Sequence, residues 1–279
     1  MGKLLKGFEK VINKNKLFTF EDQLLVAVSG GLDSIVLLDL LHQANYSFSI
    51  AHCNFQLRGH ASDKDELLVQ SLAERYKCPI HIEKFDTALI AKSQCESTQL
   101  TARKLRYAWF DNLLSEHGFT KLLTAHHAND QLETMLYNLT KGTGISGLRG
   151  IPLSTSKLAR PLLHTSKSML QHYAHEHKLA WREDASNQDD KYSRNKIRLK
   201  VIPALKEINP GIEKTIASNT ARYASIEKLL LTEVEKIRME NISESATSIT
   251  LGTSWYKEES GSLAVLTELL KAYEFIFDQ

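Results

Sequence analysis

Four short apolar runs, each followed by a segment with helical spacing, constrain this chain more than any other feature. LLVAVS (24–29), FSIAHCN (48–54), PIHIEKF (79–85) and KLLTAHH (121–127) have the length and residue content of buried strands. Between and after them, 34–44, about 62–76, about 97–117 and 129–140 repeat apolar residues at helical intervals. The stripe Leu100, Leu105, Trp109, Phe110, Leu113 and Leu114 is one case. Strands alternating with helices form βαβ units, so the expected fold class is α/β with a doubly wound, mostly parallel sheet. Right-handed crossovers then put the strand C-termini, and any ligand, along one edge.

An amphipathic helix over 1–15 precedes the first strand, with Leu4, Leu5, Phe8, Val11 and Ile12 on one face. After residue 150 the alternation stops. Residues 166–179 and 194–240 read as helical, separated by the polar loop REDASNQDDKY, and a strand from about 248 and a last helix follow. The expected division is an N-terminal helix over 1–20, an α/β domain with a basic connector over 21–210, and a smaller helical domain over 211–279. The final elements read as the opening of a further region.

With 42% hydrophobic residues the chain has ample material for a core. No apolar run approaches the ~20 residues that cross a bilayer, and no signal-peptide core follows the early lysines. A cytoplasmic chain without a membrane partner is expected. Cys53, Cys78 and Cys95 form no C-x-x-C pair, which disfavours zinc, iron–sulfur and dithiol chemistry. Charge is segregated: residues 141–238 hold 18 Lys/Arg against 10 Asp/Glu, whereas 239–279 hold 2 against 7. A basic middle third points to a polyanionic partner or to a solvated lysine-rich face.

The strongest local signal is SGGLDS at 29–34, between the first strand and the first following helix. Paired glycines let a backbone approach phosphate closely, and the helix N-terminus adds its dipole. A carboxylate there is repulsive to phosphate unless a divalent cation intervenes, which brings in Mg²⁺ at Asp33. No lysine follows as in a kinase-type P-loop. Asp130 and Glu133 are three apart, share a helix face, and start just beyond the fourth strand, on the same sheet edge as Asp33. Three carboxylates beside a phosphate loop suit Mg²⁺ and an amine substrate. Tyr192, Arg194, Asn195, Arg198 and Lys200 interleave cations, an amide and a ring, a set that suits phosphates and an extruded base. His172 and His175 are helical neighbours, but with no carboxylate or cysteine to join them they read as solvated surface.

These residues resemble the PP-loop, or N-type, ATP pyrophosphatases, which cleave ATP between its α and β phosphates and adenylate a substrate. Within that class, AHCNFQLRG, TARKLRYAWF, TAHHANDQLET, GTGISGLRGIP, ARPLL and EDASNQDDKYSRNKIRLKVIP are similar, in order, to motifs of the lysidine synthetase branch. The likeness covers about residues 20–210. One departure is that Asn129 stands where family members carry a first aspartate. It replaces either a helix cap or a metal ligand, and the cap is the preferred reading.

The resemblance implies two substrates besides ATP, which are tRNA(Ile) with a CAU anticodon and free L-lysine, with Mg²⁺ as cofactor. It implies ATP contacts from Ser29, Gly30, Gly31, Leu32, Asp33, Ser34, His52, Arg58 and His126. Asp33 and Asp130 would hold metal, and Asp33, Asp130, Glu133 and Arg106 would be catalytic, with Glu133 orienting or deprotonating the lysine amine. Arg103, Arg160, Tyr192, Arg194, Asn195 and Arg198 would contact tRNA, and a homodimer is compatible with this reading. Two rivals are a tRNA thiolase of the same class and a nucleic-acid-binding module without catalysis.

Overall fold

The computed structural model describes residues 2–182, 193–245, 247–257, 261–273 and 275. Helix α1 (Lys3–Asn15) leads to β1 (Leu24–Ala27), followed by α2 (Leu32–Gln43), β2 (Phe48–Asn54), α3 (His60–Tyr76) and β3 (Ile80–Lys84). Helices α4 (Thr87–Ser93) and α5 (Thr98–Glu116) precede β4 (Lys121–Leu123). Then come α6 (Ala128–Thr140), α7 (Ile145–Leu148), β5 (Leu158–Ala159) and α8 (Lys167–Glu176). The rest comprises α9 (Ser193–Lys196), a π-helical turn Ile197–Val201, α10 (Ile202–Ile208), α11 (Ile212–Asn241), strands β6 (Ile242–Glu244) and β7 (Ile249–Leu251), and α12 (Ser262–Ala272).

The main sheet is parallel throughout in the order β3-β2-β1-β4-β5, the doubly wound arrangement expected, and helices follow it. Because strand side chains alternate, Leu24 and Val26 face one core with α1, α2, α3 and α8, while Leu25 and Ala27 face α5 through Phe110, Leu113 and Leu114. Helix α2 is apolar on nearly every side, since it is covered by both the sheet and outer helices. One carboxylate lies in that core. Asp39 accepts from the Tyr76 hydroxyl at 2.9 Å and the Tyr173 hydroxyl at 2.7 Å, so each carboxylate oxygen has a donor.

The packing divides into two compact units, Met1–Glu133 with Ile151–Lys214, and Thr134–Gly150 with Thr215–Gln279. Helix α1 does not stand apart as a 1–20 segment; its stripe Leu4, Leu5, Phe8 and Ile12 belongs to the first unit's core. Residues 134–150 group with the later segment instead of the α/β unit. In the second unit Val234, Ile237, Val265 and Leu269 form the core between α11 and α12, and β6 pairs antiparallel with β7. The helical stretch expected over 194–240 is interrupted between Ile208 and Ile212, where Pro210 supplies no N–H donor.

Candidate active site

Strand order reverses between β1 and β4, and the chain leaving each enters the same edge of the sheet. From β1 comes the glycine turn. Gly30 takes φ +84°, a left-handed conformation that an L side chain rarely adopts. Ser34 Oγ donates to the Gly31 carbonyl at 2.9 Å, and the Gly31 N–H donates to Ser29 Oγ at 3.3 Å, so the two serines brace the turn. Helix α2 starts at Leu32, which places Asp33 in its first turn at the positive end of the dipole. Asp33 Oδ1 is shut away from solvent and accepts no hydrogen bond among the described residues.

From β4 comes a pair of histidines and then α6. His127 is buried with Nε2 at 3.5 Å from Asp33 Oδ2 and Nδ1 at 3.6 Å from Asp130 Oδ2, so one ring stands between the two carboxylates. Burial works against its charged form, but the Asp33 contact and the charges of Asp130 and Asp33 outweigh it and raise its pKa. The adjacent His126 is driven the other way. Burial, with Arg160 and Arg103 nearby, lowers it to about 4 despite the attraction of Asp130. Its Nδ1 lies 2.9 Å from Thr124 Oγ1.

Between these arms lies a cleft of about 430 Å³, lined by Ser29, Gly31, Asp33, Arg106, Tyr107 and His126 among others, a volume in the range of small-ligand sites. Its far wall is aromatic. The Arg106 guanidinium sits 5.1 Å from the Phe55 ring centre and that of Arg103 4.8 Å from the Tyr107 ring, both cation–π arrangements. Cys53 also lines the cleft, and burial pushes its thiol up to about 12, so it is no thiolate at neutral pH.

With that geometry in view, the PP-loop domain family matches residues 4–205. The chain belongs to the PP-loop family. It is 42% identical over 207 residues to a tRNA(Ile)-lysidine synthase of Bacteroides thetaiotaomicron, covering 74% of this chain and 49% of that protein. A second protein of that name, from Porphyromonas gingivalis, is 37% identical over 270 residues, covering 96% of this chain and 59% of the relative. The chain thus spans about half to three-fifths of these curated relatives. Among solved structures, the U34-tRNA thiolase of Methanococcus maripaludis, which carries a [4Fe-4S] cluster, shares the fold with a TM-score of 0.63. Its identity is 16%, with 78% of each chain covered.

Of the residues singled out in the sequence, the structure brings Ser29, Gly31, Asp33, Ser34, Arg106, His126 and Asp130 to the cleft, with Gly30 in the same turn, and it places several others elsewhere. His52 is 2% exposed and faces away from the cleft. Strand alternation turns it toward α3 while Ala51 and Cys53 face the cleft, and its Nδ1 lies 2.8 Å from the Val28 carbonyl oxygen. The Leu32 side chain is in the core, which leaves only its backbone to the turn. Arg160, expected on the tRNA, is 7% exposed and donates from Nη1 to the Pro152 carbonyl at 2.6 Å. Arg58 is paired with Asp65 at 2.7 Å.

Glu133 does not present itself to the cleft as an amine acceptor would. It is 4% exposed and both oxygens are taken by Arg198, at 2.6 and 2.8 Å, whose Nη2 is also 4.0 Å from Asp130 Oδ1. Arg198, read as a tRNA contact, is therefore on the carboxylates, and the Glu133 hydrogen bond raises its pKa further. Arg194 is exposed and Asn195 half-buried on α9, and Tyr192 lies outside the described residues. His172 and His175 are exposed on α8, as their spacing suggested.

Asn129 does not cap its own helix. Its Oδ1 accepts the Lys167 N–H at 3.2 Å, at the start of α8, while Asp130 Oδ2 accepts the His127 N–H at 2.9 Å at the entry to α6. Of the two histidines after β4, the sequence reading put only His126 among the ATP contacts, and the fold sets His127 between the two carboxylates. The doubled histidine at a strand end was its signal, and the choice between the two rings needed the fold.

No cluster of three or more His, Cys, Asp or Glu arranged for a metal occurs among the described residues. Two carboxylates, one carrying a sealed oxygen without a partner, fit instead a Mg²⁺ that completes its shell with phosphate and water oxygens. No helix among the described residues is long and apolar enough to cross a membrane.

Proposed function

We propose that the chain catalyses ATP-dependent formation of lysidine on the wobble cytidine of a CAU-anticodon isoleucine tRNA. The observation that carries this is the convergence of Asp33 and Asp130 on His127 at the mouth of a cleft edged by the glycine turn. The named relatives, similar along this same segment, supply the substrate.

The aromatic wall of Phe55, Tyr107 and Phe110 would take the nucleoside of ATP and the glycine turn its phosphates. Cytidine O2 then attacks the α-phosphorus, the α–β bond breaks, and pyrophosphate leaves with the electron pair. The ε-nitrogen of lysine next adds to C2, loses its proton, and the C2–O2 bond breaks as AMP departs with that oxygen. Mg²⁺, held by Asp33 and Asp130, would neutralise phosphate charge. Arg106 offers a guanidinium at the cleft to the same phosphates, and Arg103, Arg194 and Asn195 would meet the tRNA backbone.

Arg198 occupies the carboxylate that an amine needs. Lysine's ammonium would take Glu133 by replacing that guanidinium, which frees Arg198 for a phosphate of the tRNA. The thiolase reading is weaker, since one cleft cysteine with a raised pKa gives no pair to carry sulfur.

The test is pyrophosphate release with ATP, lysine and the CAU tRNA, omitting each in turn and repeating with Asp33→Asn. Release that needs tRNA but not lysine, lysidine formed only when all three are present, and near-complete loss in the variant are expected. Sulfur incorporation into tRNA, or normal turnover by Asp33→Asn, would overturn the reading.

A further inference from the structure

His127 touches both carboxylates of the cleft, and it takes the same share of each. Its main-chain N–H donates to Asp130 Oδ2 at 2.9 Å, and its Nε2 faces Asp33 Oδ2 at 3.5 Å. At the other ring nitrogen, Nδ1 accepts the Asn129 N–H at 3.2 Å. A neutral ring therefore keeps its one proton on Nε2, and a charged ring has one there as well. In either form Nε2–H points at Asp33. The residue is 4% exposed, so water does not compete for these contacts.

The second oxygen of each carboxylate is left over. Asp33 Oδ1 accepts no hydrogen bond among the described residues, and the Arg198 guanidinium stays 4.0 Å from Asp130 Oδ1, beyond hydrogen-bond reach. An oxygen held by a donor is a poorer metal ligand than its bare neighbour, and the same hydrogen bond fixes the rotation of the carboxylate. One residue thus turns two potentially bidentate groups into one-oxygen ligands. Divalent cations differ in what they make of that. Mg²⁺ demands a near-regular octahedron at about 2.0–2.1 Å, which a carboxylate meets with one oxygen. Ca²⁺ takes roughly six to eight ligands at about 2.3–2.6 Å and profits from both oxygens of a carboxylate.

We propose that His127 is a positioning residue that makes Asp33 and Asp130 one-oxygen ligands and so selects Mg²⁺ over Ca²⁺ beside the phosphates. This rests on the reading that those two carboxylates hold the metal of ATP. The selection lies in the ring's Nε2–H and the main-chain N–H of the same residue, and the ring takes no part in the chemical steps. Of the two donors only the ring's belongs to a side chain, so substitution tests that half.

The experiment is calorimetric titration of the full chain with ATP at one pH, in Mg²⁺, in Ca²⁺ and in EDTA, for the wild type, His127→Asn and His127→Gln. Asparagine can replace Nδ1 but is too short to reach Asp33, whereas glutamine carries an N–H to the place of Nε2. In His127→Asn, affinity in Mg²⁺ should fall roughly tenfold, the scale of one hydrogen bond to a charged group, and stay within about twofold in Ca²⁺ and in EDTA. His127→Gln should recover part of the preference for Mg²⁺. Equal weakening in all three solutions means that the ring only holds the loop in shape, and tighter binding in Mg²⁺ means that it competes with the metal as a cation. Either result, or an unchanged preference for Mg²⁺, overturns the proposal. Should His127→Asn fail to fold, the ¹⁵N imidazole shifts of the wild type with Mg²⁺ and ATP decide: Nε2 keeps its proton, and a ring protonated on Nδ1 alone overturns the proposal. A wild-type chain that binds no ATP, or binds it equally with and without metal, would overturn the nucleotide reading beneath it instead.

Discussion

His126 and His127 are neighbours in sequence and are held in opposite charge states by what surrounds them. His126, lowered from 6.5 to about 4 chiefly by burial, contributes stability that is present above 6.5 and lost as pH falls toward 4. The loss amounts to on the order of 3 kcal/mol at most. His127, raised by its two carboxylates, contributes in the reverse sense, fully below 6.5 and lost as pH climbs through its folded value. Imidazole NMR should show His126 neutral down to about pH 4 and His127 still protonated above 6.5. Ordinary titration of both rings together would contradict the geometry. Glu133 offers a second test at this scale. Its bidentate pair with Arg198 makes Glu133→Gln a loss of charge without loss of shape. In single turnover, adenylated tRNA should accumulate while lysidine forms roughly 10²-fold more slowly, the scale of a lost general base. If adenylation disappears while ATP still binds, Glu133 serves the phosphates through Arg198 and not the amine.

Among elements, Asn129 shows how a departure from the family pattern is absorbed. Its oxygen meets the first N–H of α8 while its side-chain amide serves the Glu213 carboxylate, so an aspartate there would keep the acceptor but set a second carboxylate against Glu213. Asn129→Asp should therefore destabilise by about 1 kcal/mol or more at neutral pH and recover as pH falls and a carboxylate protonates, whereas Asn129→Ala should cost about 1 kcal/mol at either pH, both read from urea midpoints. The same contact marks the limit of what the sequence discloses. Strands β1 and β2 were legible since apolar runs end at turn residues, and Asp33 and Asp130 since each follows a strand directly. Strand β5 has two residues and β6 three, too few to show a period. The short α4 has seven residues, about two turns and too few to show a helical period, although Asp86 caps it by accepting the Leu89 N–H at 3.1 Å. Asp65 with Arg182, Asn129 with Lys167 and Glu133 with Arg198 join residues separated by 117, 38 and 65 positions, pairings that no local pattern carries.

For the whole molecule, the segregation of charge along the chain predicts how it meets a polyanion. If the excess of 18 basic over 10 acidic residues in 141–238 neutralises six or more phosphates, affinity for tRNA should fall roughly 10³-fold between 50 and 200 mM salt. Filter binding across that range measures it, and a nearly flat slope would place the contacts elsewhere. The buried Asp39 has a consequence of another kind, in the order of synthesis. Tyr76 follows it by 37 residues, but Tyr173 comes 134 residues later. At ribosomal rates that interval is roughly 7–27 s. Until Tyr76 emerges the carboxylate has neither tyrosine, and from then until Tyr173 it has one of the two, in a helix built to be covered by α8, beside a central strand that awaits β4. The nascent half-sheet is therefore a sticky, unfinished surface for seconds at a time, and its safe completion depends on whatever shields apolar chains as they leave the ribosome.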